Sequence, residues 1–198
     1  MANDTPPTGK GTIHISGAGT MAMYILVGSL SMLFAASVLG YAMIRATKFS
    51  GNWPPAGYPR LPATLWVSTA VILLSSVTIH FALVGIKHGN EARLRQGLIA
   101  TALLGLAFLV LQAFNWFEFT HQLSATQHGG QYVNFFYVLT GMHAAHVIGG
   151  LIPLFVVLAF ALRGKYSANF HPGVRYCAIY WHFLDAIWMM LFVAIYLI

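Results

Sequence analysis

Histidine and carboxylate side chains lie inside long apolar segments of this chain, where they could ligate a metal or haem or relay protons. His143 and His146 are three residues apart in one segment, and His182 and Asp185 have the same spacing in another. Residues three apart lie on one face of a helix. Ionisable groups at membrane depth are costly and normally face protein or water. Each pair therefore predicts a site between packed helices.

Other polar residues lie in the remaining apolar segments. The chain has only four acidic residues, and one of them, Glu118, lies at the end of the third segment. His80 lies in the second segment, and Gln112 and Asn115 lie in the third. No phosphate-binding glycine loop, nucleophile elbow or HExxH motif accompanies them. We therefore expect no catalytic residues in this chain.

The composition is that of an integral membrane protein. Of the 198 residues, 58% are hydrophobic and 7% are charged, whereas soluble proteins carry about 25% charged residues. The formal net charge of +6 is compatible with nucleic-acid binding, but the basic residues form short clusters between apolar segments, as membrane topology requires. We therefore expect no nucleic-acid partner. The single cysteine, Cys177, excludes an internal disulfide and a cysteine-based metal cluster.

Five apolar segments are each long enough to cross about 30 Å of hydrocarbon as a helix. They predict an all-α bundle of five transmembrane helices, in one membrane domain that spans residues 1–198. The segments lie near residues 21–44, 63–86, 97–119, 133–162 and 174–198. Residues 1–20 are polar and are expected to form a cytoplasmic N-terminal segment. The fourth segment is over-long and contains Pro153, which predicts a kink, a tilt or some helix outside the membrane.

Lysine and arginine predict the orientation, because cytoplasmic loops carry an excess of both. On the side of the N-terminus lie Lys10, Lys87, Arg93, Arg95, Arg163, Lys165 and Arg175. On the opposite side lie Arg45, Lys48 and Arg60. The N-terminus is therefore predicted to be cytoplasmic and the C-terminus to be outside.

Depth in the membrane decides which polar groups can meet. At 1.5 Å per residue, Asp185 lies about 16 Å from the cytoplasmic end of its helix, and His143 lies about 15 Å from the opposite end of its own. Both residues, with His146 and His182, are expected to share a layer near the midplane. Glu118 is expected to lie near the outer face, and His80 is expected to approach the inner face.

Three kinds of chemistry fit such a layer unequally. A carboxylate-bridged metal pair needs several carboxylates, and only Asp185 reaches the layer. A haem held by two histidines would place His143 or His146 opposite His182, with Asp185 and the second histidine crowding the same faces. Hydrogen bonds between helices, worth about 1 kcal/mol each in membranes, require neither metal nor cofactor. We favour this structural interpretation.

Two motifs resemble the cytochrome c oxidase subunit III family. Residues 180–188 read YWHFLDAIW, similar to the YWHFxDxxW signature of the family, and residues 139–147 read LTGMHAAHV, similar to its LTGxHxxHV stretch. The sequences SSVTIH at residues 75–80 and GNWPP at residues 51–55 support the match. The resemblance runs from about residue 21 to the C-terminus, with the motifs in the same order.

The resemblance implies a non-redox subunit of a proton-pumping haem–copper oxidase. Members carry no haem or copper, pack beside the catalytic subunit I that holds both, support proton uptake, and bind phospholipid in a cleft that guides oxygen. The five-helix form is similar to bacterial members, so we expect a location in a bacterial plasma membrane. Longer relatives have two more helices at the N-terminus. The alternative is a related subunit of a nitric oxide reductase or of a quinol oxidase, because such relatives share these motifs. The electron donor, cytochrome c or quinol, leaves no trace in this chain.

The chain departs from the family pattern in two places. In the first segment the family has a Ser-Glu pair, where this chain has Ser29 and Leu30, so a proton-related role of that glutamate is not expected here. In the third segment the family has Gln-x-x-Glu before an aromatic residue. Either Gln112 with Asn115 or Asn115 with Glu118 can occupy that register, and the choice stays open.

Overall fold

Five long helices make up the described part of the chain. The computed structural model describes residues 17–48, 61–126 and 131–197. The helices are α1 (Ala18–Lys48), α2 (Thr64–Lys87), α3 (Glu91–Thr126), α4 (Gln131–Leu162) and α5 (Pro172–Leu197). All five are long and apolar enough to cross a membrane, which confirms the predicted all-α fold. Residues 1–16 of the predicted polar segment lie outside the described residues, and residues 18–20 belong to α1.

Four of the helices form a ring, and α1 lies outside it. Within the described residues, α2, α3, α4 and α5 each pack against two neighbours in that ring, whereas α1 packs only on α5 and α4. The α2–α3 and α4–α5 connections lie at the same end of the ring, which we call the basic end. Buried apolar side chains fill the interior, with Trp181 and Leu98 nearer the basic end and Trp188 and Phe136 farther from it.

The α2–α3 connection is shorter than the sequence suggested, because local signals end one helix and start the next almost at once. The backbone N–H of Gly89 donates to the carbonyl of Ile86, and that of Asn90 donates to Gly85, which is the pattern of a Schellman motif. Gly89 has a φ of 72°, which glycine adopts without strain. The Asn90 side chain then accepts from the N–H of Arg93 at 2.9 Å and caps α3.

The α4–α5 connection ends α4 in the same way. The N–H of Gly164, whose φ is 66°, donates to Ala161, and that of Lys165 donates to Phe160. Pro172 then occupies the first position of α5, where its missing N–H leaves no hydrogen bond unmade. The α2–α3 connection thus takes only residues 88–90, whereas the α4–α5 connection takes residues 163–171, and each joins two antiparallel helices.

Helices α2 and α3 lie close together near the basic end, where Gly85 and Gly97 have no side chain to hold the backbones apart. A Cβ atom on Gly97 would lie 2.8 Å from the Thr78 carbonyl oxygen and 2.9 Å from the Ala82 Cα. A Cβ atom on Gly85 would lie 2.6 Å from the Arg93 Cβ. Small residues at such positions allow transmembrane backbones to come together and gain dispersion energy.

Candidate functional site

His143 lies in an aromatic enclosure at the centre of the bundle. Its side chain is fully buried, and its ring centroid lies 5.0 Å from that of Trp188, 5.7 Å from Phe108 and 6.4 Å from Phe34. Within the described residues, neither ring nitrogen has a hydrogen-bond partner. Four helices thus meet around one imidazole, which contacts its neighbours through ring faces and edges.

His182 lies in a separate group, between α5 and α2. Its Nδ1 atom is 2.6 Å from the Ser76 hydroxyl, and its ring centroid is 6.1 Å from that of His80. Ser76 also lies beside the carboxyl group of Asp185. We call His80, His182, Ser76 and Asp185 the polar wedge, because the group runs from the exposed His80 ring to the buried Asp185 side chain.

The predicted four-residue layer is therefore divided, and His80 joins one part of it. Depth alone predicts that His80 lies apart, near the inner face, whereas the structure places it beside His182. The reason is geometric, because α2 and α5 are antiparallel. His80 is about 10 Å and His182 about 15 Å from the basic ends of their helices, so the two imidazoles lie at comparable depths.

His146 faces the opposite side of the bundle from the polar wedge. Its Nδ1 atom lies 2.7 Å from the Met142 carbonyl oxygen, and its ring packs edge-on against Phe34 at 5.2 Å. The Tyr180 hydroxyl donates to the His146 carbonyl oxygen at 3.2 Å. His146 thus lies at the α1–α4–α5 junction, although it is only one turn from His143.

Like His143, the buried side chains of Gln112 and Asp185 make no hydrogen bond within the described residues. They are only 1% and 4% exposed, respectively. The described ranges also contain no group of three or more histidine, cysteine or acidic side chains arranged to hold a metal ion. Among the described residues, the side chains of His80, His143, His146, His182 and Asp185 make one hydrogen bond to another helix. It joins His182 to Ser76.

Glu118 lies with Asn115 at the end of the bundle away from the basic end. The Asn115 amide contacts two hydroxyl groups of α2: its Nδ2 donates to Ser68 at 3.3 Å, and its Oδ1 accepts from Thr64. Thr64 also lies 3.3 Å from a carboxylate oxygen of Glu118, and Gln122 donates to that carboxylate at 3.4 Å. Asn115 and Glu118 thus link α3 to the start of α2.

Tryptophan–hydroxyl pairs supply several hydrogen bonds across the ring that the sequence analysis did not predict. The indole N–H of Trp181 donates to Ser75 and that of Trp188 donates to Thr69, both at 2.9 Å. On the other side of the ring, Trp116 donates to a threonine hydroxyl of α4. The available signal was the seven-residue spacing of Trp181 and Trp188, which places both on one face of α5.

An apolar groove of about 850 Å³ opens between α1, α4 and α5. Residues from all three helices line it, including Leu30, Gly149, Pro153 and Cys177. Tyr166 lies at its basic end, and burial raises the pKa of its phenol above the usual 10.0, so the hydroxyl stays neutral over the physiological range. The groove can accept a long apolar molecule with a polar end near the basic end of the bundle.

Known proteins match this chain over a range that includes all five helices and both sequence motifs. A sequence profile described as cytochrome c oxidase subunit III matches residues 2–198. The chain belongs to this family. Among proteins named cytochrome c oxidase subunit 3, it is 36% identical to that of Rattus norvegicus over 78% of the chain and 59% of the relative, and 38% identical to that of Loxodonta africana over 73% and 54%.

The chain spans little more than half the length of these relatives. The match to the Pan troglodytes protein of the same name is 33% identical, over 99% of the chain and 73% of the relative. Subunit III membership therefore covers all five helices, the aromatic enclosure of His143 and the polar wedge.

Leu30 lies on α1, at the groove between α1, α4 and α5. The resemblance puts it where family members have a membrane-embedded glutamate. In this structure its side chain lines the apolar groove, and the neighbouring Ser29 hydroxyl donates to the Leu26 carbonyl oxygen at 2.9 Å. This wall of the groove thus presents hydrocarbon.

Proposed function

We propose that this chain is a non-redox accessory subunit of a proton-pumping haem–copper terminal oxidase in aerobic respiration. The family match over residues 2–198 carries the proposal. The exposed apolar face of α1 supports it, since Met21, Ile25, Met32 and Met43 are each at least 66% exposed. The chain would stabilise the catalytic subunit by packing helices against it, while haem and copper would remain in that partner.

Affinity purification tests this proposal directly. The chain, tagged at its C-terminus, is extracted from native membranes in mild detergent, and its companions are identified by mass spectrometry. We expect a large oxidase subunit to co-purify at a fixed ratio. A nitric oxide reductase large subunit in its place would redirect the assignment, and isolation of the chain without any haem-binding companion would refute it.

We propose that the groove between α1, α4 and α5 holds an acyl chain of a membrane phospholipid. Its walls are almost entirely apolar, and its volume of about 850 Å³ exceeds what side-chain packing leaves between well-packed helices. The Tyr166 and Tyr176 phenols mark the end near the basic connections, where a lipid headgroup would lie. A lipid-filled groove would also give oxygen an apolar path toward the partner subunit.

Filling the groove should displace that lipid. Gly149 lines the groove, and a Cβ atom there would meet nothing within 4 Å, so Gly149→Phe should fold normally and occupy the space. We expect at least about half of the tightly bound phospholipid to be lost, measured by native mass spectrometry of the assembly.

The control is Gly28→Phe, at a glycine of α1 that is equally open and does not line the groove. Equal lipid retention in both variants would contradict a binding site in the groove.

The support for proton uptake that the family provides would have to come from other groups, since Leu30 has no proton to exchange.

We propose that the chain lies in a bacterial plasma membrane with its N-terminus in the cytoplasm. Lys87 and Arg93 flank the α2–α3 connection, and Arg163 and Lys165 lie in the α4–α5 connection, which favours a cytoplasmic location for the basic end. A phosphatase reporter, which is active only outside the cytoplasm, should therefore be inactive when inserted after Gly89 and active when fused at the C-terminus. The reverse pattern would invert the topology.

A further inference from the structure

His80 is exposed on the outer surface of the bundle at a depth where the surroundings should be hydrocarbon. It lies seven residues, about 10 Å, from the end of α2. In the described ranges, the other exposed histidine, lysine, arginine and acidic side chains lie in connections or within five residues of a helix end. Lysine and arginine reach the interface through long stems, which histidine lacks.

The surface around His80 is apolar, and none of the described residues offers its imidazole a hydrogen bond. Val77 is 63% exposed, Leu74 is 53% exposed and Phe81 is 47% exposed. Within the described residues, His80 makes no hydrogen bond, and its ring faces that of His182 at 6.1 Å. An unpaired polar group in lipid is costly. We therefore expect a hydrogen-bonding group from another molecule next to His80.

A shallow hollow on the α3 side of Val77 and Phe81 gives this surface a shape that suits a neighbouring helix. The hollow, of about 270 Å³, is lined by Val77 and Phe81 of α2 and by Gln96, Gly97 and Ala100 of α3. The small residues Gly97 and Ala100 form its floor. Small-residue hollows of this kind accept protruding side chains of packed transmembrane helices, whereas a flexible acyl chain gains little from them.

We propose that the His80 face, defined by His80, Val77, Phe81 and Ala100, docks a transmembrane helix of another oxidase subunit. That helix carries an amide, hydroxyl or carboxyl side chain at the depth of His80 and hydrogen-bonds to its ring. The contact would extend the polar wedge into the partner. The inference rests on the proposed function, because the partner is taken from the same assembly.

Photo-crosslinking in the assembled complex tests the proposal. In a Cys177→Ser background, Val77→Cys is labelled with benzophenone maleimide and irradiated in native membranes. We expect Val77→Cys to crosslink to a peptide of another oxidase subunit. Val110→Cys, which is 70% exposed on α3, is the matched control for labelling and irradiation.

The outcomes separate this inference from the proposed function. If oxidase subunits co-purify and Val77→Cys crosslinks to none of them, the docking surface is overturned and the proposed function still stands. A crosslink to a second copy of this chain would overturn the choice of partner. A tagged chain that brings down no oxidase subunit would overturn the function itself.

A second variant pair tests the polar part of the contact. His80→Leu should weaken retention of this chain in detergent-diluted complex about fivefold, the change expected for one lost membrane hydrogen bond. His80→Gln keeps a hydrogen-bonding side chain and should retain most of the association. Equal retention of His80→Leu and the unmodified chain would overturn hydrogen bonding by His80.

Discussion

Replacing Gly97 with valine should prevent α2 and α3 from packing and should remove most folded protein from the membrane. Even a single added carbon at Gly97 would lie 2.7 Å from the Ala82 Cβ and 2.8 Å from a backbone oxygen. Backbone atoms cannot move aside as side chains do, so the helices must separate. Overpacking in a close-packed interior costs about 1–3 kcal/mol per site, and the branched side chain should exceed that range.

Accumulation of the tagged chain in membranes and its resistance to unfolding in dodecyl sulfate measure this effect. Gly97→Ala should be intermediate, since one methyl group requires a smaller separation. Gly28→Val on α1 is the control, because a Cβ there meets nothing within 4 Å. Similar losses for Gly97→Val and Gly28→Val would show that the close α2–α3 contact does not govern stability.

Replacing Trp188 with alanine should produce the second large loss of stability. Its side chain is 1% exposed, its N–H donates to Thr69 at 2.9 Å, and its ring lies 4.9 Å from Phe108 and 5.0 Å from His143. Truncation would open a cavity where α2, α3 and α4 meet α5. Buried tryptophan-to-alanine changes cost about 3–5 kcal/mol.

Trp188→Phe separates packing from hydrogen bonding at this position. It retains a ring and loses the N–H, so it should cost about 1 kcal/mol. The Thr69 hydroxyl keeps its bond to the Leu65 carbonyl oxygen at 2.8 Å, which limits the penalty. The free energy of unfolding, from titration with dodecyl sulfate, ranks the two variants. Equal losses in both would assign the effect to the hydrogen bond and contradict the packing argument.

The number of helices could be predicted because lipid imposes length and apolarity on every span. The start of α3 could be predicted less well, since its apolar segment begins only near residue 97 whereas the helix begins at Glu91. Asn90 caps α3, so the helix begins earlier. The sequence carries a signal for this, because Gly89 is typical of the residue after a helix and Asn90 is typical of a helix N-cap.

The arrangement of the histidines could not be predicted from depth alone. Lipid and protein interior are both apolar, so periodicity in a transmembrane helix says little about which face meets which neighbour. His143 and His146 share a helix and nearly a depth, yet one is enclosed by aromatic rings and the other faces the α1 side. His80 and His182 lie far apart in sequence and meet because α2 and α5 are neighbours.

Structural hydrogen bonding was predicted for the histidines and Asp185, and the described contacts assign most of it to other residues. Of the predicted group, His182 bonds across helices through its side chain, to Ser76. Trp181 and Trp188 make the comparable bonds to α2. The indole N–H of tryptophan needs a hydrogen-bond partner when it is buried, although the rest of the side chain is apolar.

The central claim is that this subunit contributes helices and bound lipid to an oxidase, and no redox group of its own. The most direct measurement is the absorption spectrum and metal content of the chain, purified alone and within its assembly. We predict a Soret band, iron and copper in the assembly and none in the separated chain. Stoichiometric haem or copper retained by the separated chain through His143, His146 or His182 would contradict the claim.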